Sequence, residues 1–493
     1  MNEQKCPDCQ GKRFNPQVLA CKIAGYSIAD FLAMQVDELL TVLQEISEES
    51  VQPLLQNIQA RITDLINIGL DYVSLDRETT TLSGGESQRV KMVKHLSSSL
   101  NDVIYIFDEP SIGLHPRDVH RLNELLVKLR DKGNTVIVVE HDPDVIKAAD
   151  HIIDVGPKAG KNGGYITYEG TFEGLLRSDT LTGKAFGQMV DFKEAPRQSH
   201  QVIETKKSTL HNLKNTALRV PLGVFTVVTG VAGSGKSSLV NGVFAKEYPE
   251  AITIDQSAVA GNIRSNPATY SGIMNDIRKL FSQENQVSAG LFSYNSEGAC
   301  ETCKGHGTIK MELSFMDSVE VLCQACGGKR FKEEVYQYRL KGKSIDEVLA
   351  MSITEAVEFF EEKAIQRKLK QILAVGLGYM TLGQPLNTLS GGECQRLKLA
   401  KELSKKGNIY IMDEPTTGLH MADIKSILAI IERLVEKGNT VIVIEHNLEV
   451  MKAADWLIDV GIDGGIRGGE VLYEGIPEKL IECQSSITAQ YLF

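Results

Sequence analysis

The sequence has a single tryptophan, and aromatic residues make up only 6% of its 493 positions. Nor is there an excess of positive charge: 53 Lys and Arg stand against 64 Asp and Glu, a formal net charge of −11. Bulk electrostatics therefore exclude a general polycation that coats nucleic acid, and any such contact must come from a local basic surface working against the overall field. No apolar run approaches the roughly 18–20 residues that a membrane span needs. The opening stretch, MNEQKCPDCQ, has no apolar segment of the secretory type, so the chain reads as cytoplasmic, with no membrane partner. Few aromatics do not mean disorder. With 42% hydrophobic and 24% charged residues, the composition excludes a wholly disordered or collagen-like chain. The length allows three or four domains of about 100–200 residues each.

What is present is a repeat. CPDCQGKRF at 6–14 returns as CQACGGKRF at 323–331, TLSGGESQR at 81–89 as TLSGGECQR at 388–396, and IYIFDEPSIGLH at 104–115 as IYIMDEPTTGLH at 409–420. GNTVIVVEH at 133–141 matches GNTVIVIEH at 438–446. Two copies of one domain follow, at 1–195 and 205–493, joined by a polar stretch of linker composition at 190–208. Residues 205–300 break the symmetry, because their Gly-rich loop has no counterpart in the first copy. Apolar β-branched runs such as FTVVTG and NTVIVIEH read as buried parallel strands, alternating with amphipathic helices, so the fold class is α/β. TLHNLKNTALRVPL reads as strand-like and opens the second copy.

Four constellations carry chemistry. Gly230, Gly233, Ser234, Gly235, Lys236, Ser237 and Ser238 form a G-x-x-x-x-G-K-S loop between a Val-rich strand and a helical run, the context that phosphate binding requires. Glycines let backbone N–H groups close on phosphate oxygens, Lys236 neutralises charge, and the Ser237 hydroxyl suits Mg²⁺. Asp413-Glu414 ends one apolar strand, as Asp108-Glu109 ends its twin. The Asp suits Mg²⁺, and the Glu can orient an attacking water. A second strand in each copy ends in Glu-His, placing His446 and His141 within reach of a γ-phosphate; a structural role is the alternative. LSGGE, with Ser83, Gly84 and Gly85 in one copy and Ser390 to Glu393 in the other, offers N–H donors at a helix start, or merely a helix cap.

Nine cysteines in a chain of this type read as metal ligands or buried thiols. Cys300, Cys303, Cys323 and Cys326 form two C-x-x-C knuckles with the spacing of a structural zinc site; a redox dithiol or four buried thiols are the alternatives. Cys6 and Cys9 have no upstream partner pair. Cys21, Cys394 and Cys483 read as small buried hydrophobes. Basic residues around the knuckles (Lys304, His306, Lys310, Lys329, Arg330, Lys332) are interleaved with acidic ones, which leaves a nucleic-acid contact and a solvated face both open.

Taken with IDQS, RSNPATY, FSYNSEGACETCKGHG and LGQPLNTLSGGECQRLKLA, these motifs resemble UvrA, the ATP-binding cassette ATPase family of the excinuclease ABC system. The resemblance implies tandem cassettes with a zinc-binding signature region inserted at about 257–385, the first cassette being incomplete. It implies an ATP-hydrolysing component of nucleotide excision repair that uses ATP, Mg²⁺ and Zn²⁺ and recognises damaged double-stranded DNA. It further implies a homodimer, with UvrB of the same excinuclease as a partner where the missing N-terminal half is supplied. Carried over by position, Gln256 matches the Q-loop of the second cassette, Asp413 and Glu414 its Walker B pair, and His446 its switch histidine; Ser83, Gly84 and Gly85 match the signature of the first. The stretch from Pro249 to Asp255 is shorter than in repair-type members. A drug self-resistance paralogue, a transporter engine and a remnant without repair activity share parts of this pattern, but a transporter engine has no use for the C-x-x-C pairs.

Overall fold

A computed structural model of the chain describes residues 6–493 apart from 80–81, 83, 97–100, 158–162, 189, 256–263, 314–315 and 404–407. Two α/β units follow one another. In the second, six strands lie in the order Glu470–Gly475, Trp456–Gly461, Phe225–Thr229, Thr440–Ile444, Ile409–Asp413, Ile252–Ile254. All neighbours are parallel except the Trp456–Gly461/Glu470–Gly475 pair. The strand that precedes the Gly-rich loop is thus central, buried along its whole length, which is why its sequence is a continuous apolar run rather than an alternating one. Helix Met421–Glu436 covers one face, capped by His420. The other is covered by a π-helical segment, Ser238–Phe244, that follows the loop.

The first unit repeats these parts in two separate sheets. Ile104–Asp108 pairs parallel with Thr135–Val139, and Ile152–Gly156 pairs antiparallel with Tyr165–Gly170. Helix Pro116–Asp131 packs Val119, Leu122, Leu125 and Leu129 beneath Tyr105 and Phe107. In both units a buried Asn stitches helix end to strand: Asn134 and Asn439 donate to Leu129 O and Leu434 O and accept from Val103 N and Asn408 N. The repeated G-N-T triplet is therefore a structural device. Gly133 and Gly438 precede those asparagines with φ of +87° and +84°, a conformation that a side chain would strain.

Three expectations need correction. The 190–208 stretch does not behave as a free linker. Lys193 and Arg197 clamp it to the second unit through Glu432 and the buried Asp455, at 2.5–3.1 Å. Asp455 also accepts from Phe225 N at 2.9 Å, so a polar composition here marks a strap rather than slack chain. Within the strand-like run at 209–222, only Arg219–Pro221 is a strand, paired with Val202–Glu204. The rest turns, through left-handed His211 and Asn215. Among the lone cysteines, Cys394 is buried and Cys483 partly so, but Cys21 is exposed. No helix among the described residues is long and apolar enough to cross a membrane.

Candidate nucleotide site and cysteine cluster

The loop from Gly230 to Ser237 is shaped by close approaches. A Cβ on Gly230 would sit 2.0 Å from Val460 O, and one on Gly233 would sit 2.6 Å from the ring of Tyr72. Tyr72 belongs to the first unit, so that unit lies against the loop. Its phenol donates to Glu86 at 2.5 Å, in the first turn of helix Gly84–Leu96, which opens with the Gly-Gly-Glu of LSGGE. Ser83 and Gln256 lie outside the described residues. Glu86 and Tyr72 nevertheless place the first unit's signature helix beside the second unit's loop.

Lys236 Nζ donates to Gly230 O and Val231 O, both at 2.8 Å. Burial pushes its pKa down to about 8, against the pull of Glu414 and Asp413. Asp413 accepts from Asn241 Nδ2 at 3.0 Å. Glu414 has a φ of +45°, a strained setting for a residue with a side chain. Burial, with Glu445 and Asp413 nearby, raises its carboxyl to about 7, while Lys236 opposes the shift. His446 Nε2 lies 4.0 Å from Glu414 Oε1, and burial holds the imidazole well below its usual pKa, hence neutral. Its Nδ1 and Ser234 Oγ are buried with no hydrogen-bond partner. Buried polar atoms of that kind fit a site that completes its bonds with a ligand.

The two units also meet reciprocally. Gly113 of the first unit abuts Glu414: a Cβ there would stand 3.2 Å from its Oε2. Gly418 of the second unit stands in the same relation to Glu109, at 3.1 Å. His115 reaches Thr488 at 3.2 Å, which donates to the buried Asp459 at 3.1 Å. His420 reaches Thr182 at 2.9 Å, which donates to Asp154 at 2.8 Å. Arg117 pairs with Asp463 at 3.0 Å. A cavity of about 470 Å³ lies between the units, lined by both glutamates and both histidines of the Glu-His pairs. The two halves differ in closure: His446 is 8% exposed and His141 37%. Tyr72, His115, Thr488 and Asp459 were not singled out from the sequence. The doubled G-L-H at 113–115 and 418–420, and the doubled tyrosines of LDYVSL and LGYMTL, carried a signal for the first two.

Cys300, Cys303, Cys323 and Cys326 converge with all four sulfurs within 4.8 Å of one another. Cys300 and Cys323 are 4.0 Å apart, Cys303 and Cys326 3.7 Å. Four thiolates around a tetrahedral ion at about 2.3 Å stand about 3.8 Å from each other, so the set fits zinc and closes its coordination. Gly307 N donates to Cys303 Sγ at 3.2 Å. Between the knuckles, Thr308–Leu313 and Met316–Leu322 form an antiparallel hairpin. Ser390, in the second signature, accepts from Glu393 N, and the Glu393 carboxylate accepts in turn from Ser390 N: the helix-cap alternative is realised there as a full capping box.

Known proteins match this arrangement. A family model described as ABC transporter matches residues 213–417. UvrABC system protein A of Aquifex aeolicus is 46% identical over 99% of this chain, and that of Thermus thermophilus 45% identical over 97%. The chain spans 58% and 55% of those relatives' own lengths. A crystal structure of UvrA2 from Deinococcus radiodurans superposes with a TM-score of 0.91 at 39% identity, covering 99% of this chain and 65% of that one. With this identity along essentially its whole length, the chain belongs to the UvrA family.

Proposed function

We propose that the chain is an ATP-hydrolysing, DNA-binding component of the UvrABC nucleotide excision repair system, acting on damaged duplex DNA in the cytoplasm. The observation that carries the ATP part is the approach of the first unit's signature helix to the second unit's phosphate loop within one chain. In this reading 1–195 and 205–493 are two cassettes. Gly230, Gly233, Ser234, Gly235, Lys236, Ser237 and Ser238 hold the phosphates of ATP; Asp413, with the Ser237 hydroxyl, holds Mg²⁺; Ser83, Gly84 and Gly85 close the site, and Gln256 senses it. Bound Mg²⁺ supplies charge neutralisation at the phosphates. Glu414, whose pKa near 7 suits proton exchange at neutral pH, orients and deprotonates the attacking water. Neutral His446 contributes a donor from the far side. The cysteine cluster holds zinc as a structural ion, with no open position for catalysis.

The DNA part rests on family membership and on the cysteine module. Local charge supports it less: Lys329 is paired with Asp346 at 2.7 Å and Lys332 with Glu301 at 2.9 Å. The hairpin instead presents Met311, Val319 and Leu322, 52%, 47% and 68% exposed, an apolar surface between two knuckles. Binding to damaged and intact duplexes across a salt series, with and without ATP, tests the reading. Affinity should fall log-linearly with salt, with a slope of roughly −0.9 per phosphate contacted, and damaged duplex should be preferred. Equal binding to both duplexes, or none, would remove the repair function and leave an ATPase.

The crossing glycines give a second test. Gly113 and Gly418 have φ of +67° and +65°, so alanine at either should cost on the order of 1–3 kcal/mol of stability. Only Gly113→Ala presses on Glu414, and it should lower ATP turnover roughly tenfold more than Gly418→Ala at similar loss of melting temperature. Matching turnover in the two variants would disconnect Gly113 from the chemistry.

A further inference from the structure

His115, Thr488 and Asp459 are buried together where the two units meet, at 0%, 1% and 2% exposure. The direction of each hydrogen bond among them is fixed. Arg117 N donates to His115 Nδ1 at 3.2 Å, so that nitrogen carries no proton. Burial, with Lys236 and Arg117 nearby, pushes the His115 pKa down to about 3, and the neutral ring holds its one proton on Nε2. Nε2–H donates to Thr488 Oγ1 at 3.2 Å, and Thr488 donates its own proton to Asp459 Oδ1 at 3.1 Å. Ser486 Oγ donates to the other carboxylate oxygen at 2.5 Å. Both ends of this chain of bonds lie beside the nucleotide site. Asp459 pairs in the sheet with Thr229, the residue before the phosphate loop. The His115 ring stands edge-on to that of His446, with centroids 6.0 Å apart and planes at 86°. The repeat supplies a twin: Ala422 N donates to His420 Nδ1, His420 bonds Thr182, Thr182 bonds Asp154, and the His420 ring stands edge-on to His141 at 5.9 Å. That twin is less enclosed, with His420 and Asp154 only partly buried.

We infer that Thr488 and Asp459 are positioning residues for ATP hydrolysis, holding His115 so that the turn Ser111–His115 keeps Gly113 on Glu414 and the imidazole of His115 against His446. The inference rests on the ATPase reading of the site. Gly113 has no side chain with which to grip the second unit, yet it is the residue that abuts the Glu414 carboxylate. The grip comes two residues later, from His115. Without the Thr488 hydroxyl, His115 Nε2–H and Asp459 Oδ1 would lose their shared partner in a buried setting, and the turn would shift to find others. A proton acceptor works only within hydrogen-bond reach of its water, so a small displacement beside Glu414 falls on the chemical step. Thr488 makes none of the phosphate-loop contacts, so nucleotide affinity is spared.

The test uses the full 493-residue chain. Thr488→Val keeps the side-chain shape without the hydroxyl, and Thr488→Ser keeps the hydroxyl. Thr488→Val should lower kcat on the order of tenfold with KM for ATP within about twofold, as when orientation is lost and binding is not. Thr488→Ser should restore kcat to within about twofold of wild type. His115→Phe breaks the same bond from the first unit and should show the same split, which keeps the inference open to refutation if Thr488→Val does not fold. Thr182→Val breaks the twin and should leave kcat within about twofold of wild type, because that side faces Glu109 and not Lys236. Amide exchange at 111–115 should quicken on the order of tenfold in Thr488→Val and not in Thr488→Ser. Unchanged kcat in Thr488→Val overturns the inference, and so does a serine variant that fails to restore it. An equal loss in Thr182→Val overturns it as well, since the bonds would then merely hold the units together. If the wild-type chain hydrolyses no ATP, the ATPase reading falls, and exchange at 111–115 decides by itself whether Thr488 holds the turn.

Discussion

Glu414→Gln should leave nucleotide bound at Lys236 and abolish turnover, lowering kcat by on the order of a hundredfold or more, while Glu109→Gln should change kcat little. A positioned proton acceptor contributes about 10²–10⁴ to rate, and Gln keeps the shape and a hydrogen bond but cannot take a proton. Binding survives because the phosphate contacts belong to the loop and Lys236. The two glutamates share sequence context, φ of +45° and a histidine at 4.0 Å. They differ in what stands opposite: Glu414 faces a buried Lys236, whereas residues 1–195 hold no phosphate loop. Single-turnover hydrolysis and nucleotide stoichiometry on the isolated chain decide the matter. Equal losses in the two variants, or two tightly bound nucleotides per chain, would mean that both halves hydrolyse ATP.

Cys323→Ser should release the zinc. Structural zinc in small peptide hosts binds with an apparent free energy of about 10–16 kcal/mol, so a three-thiolate set loses most of what holds the module. Cys323 is fully buried, and its N–H donates to Gly307 O at 2.9 Å, so the strand of the hairpin that ends at Leu322 loses its anchor. Metal content should drop from one ion per chain to none, and exchange should rise across 300–331. Cys6→Ser is the control: Cys6 is exposed and outside the cluster, and its loss should leave metal content unchanged. Zinc-free wild-type protein purified without chelator would instead assign the four cysteines to the buried-thiol alternative.

Much of the site was legible because its chemistry is local. A phosphate loop is a matter of glycines at fixed spacing between a strand and a helix. Paired C-x-x-C knuckles close on one ion because each turn sets two sulfurs side by side, and the cluster formed as the spacing required. The α/β class followed from β-branched runs alternating with amphipathic helices, and the duplication followed from the repeated motifs. The linker reading failed for the opposite reason. Composition says that 190–208 is polar, but only the folded sheet brings Asp455 and Glu432 beneath Lys193 and Arg197.

By itself the sequence determined which residues are candidates to hold phosphate, magnesium or zinc, since candidacy follows from residue type and short spacing. Tertiary structure alone decided which motif meets which. His115 finds Thr488 across 373 residues, Gly113 meets Glu414 and Gly418 meets Glu109, and Tyr72 leans on Gly233. No periodicity encodes such pairings, because they arise only where the two units meet. Burial is of the same kind. Ile106 and Ile411 are the same residue type in the same motif, yet Ile106 is 69% exposed and Ile411 fully buried, because burial is set by whether a helix lies on them.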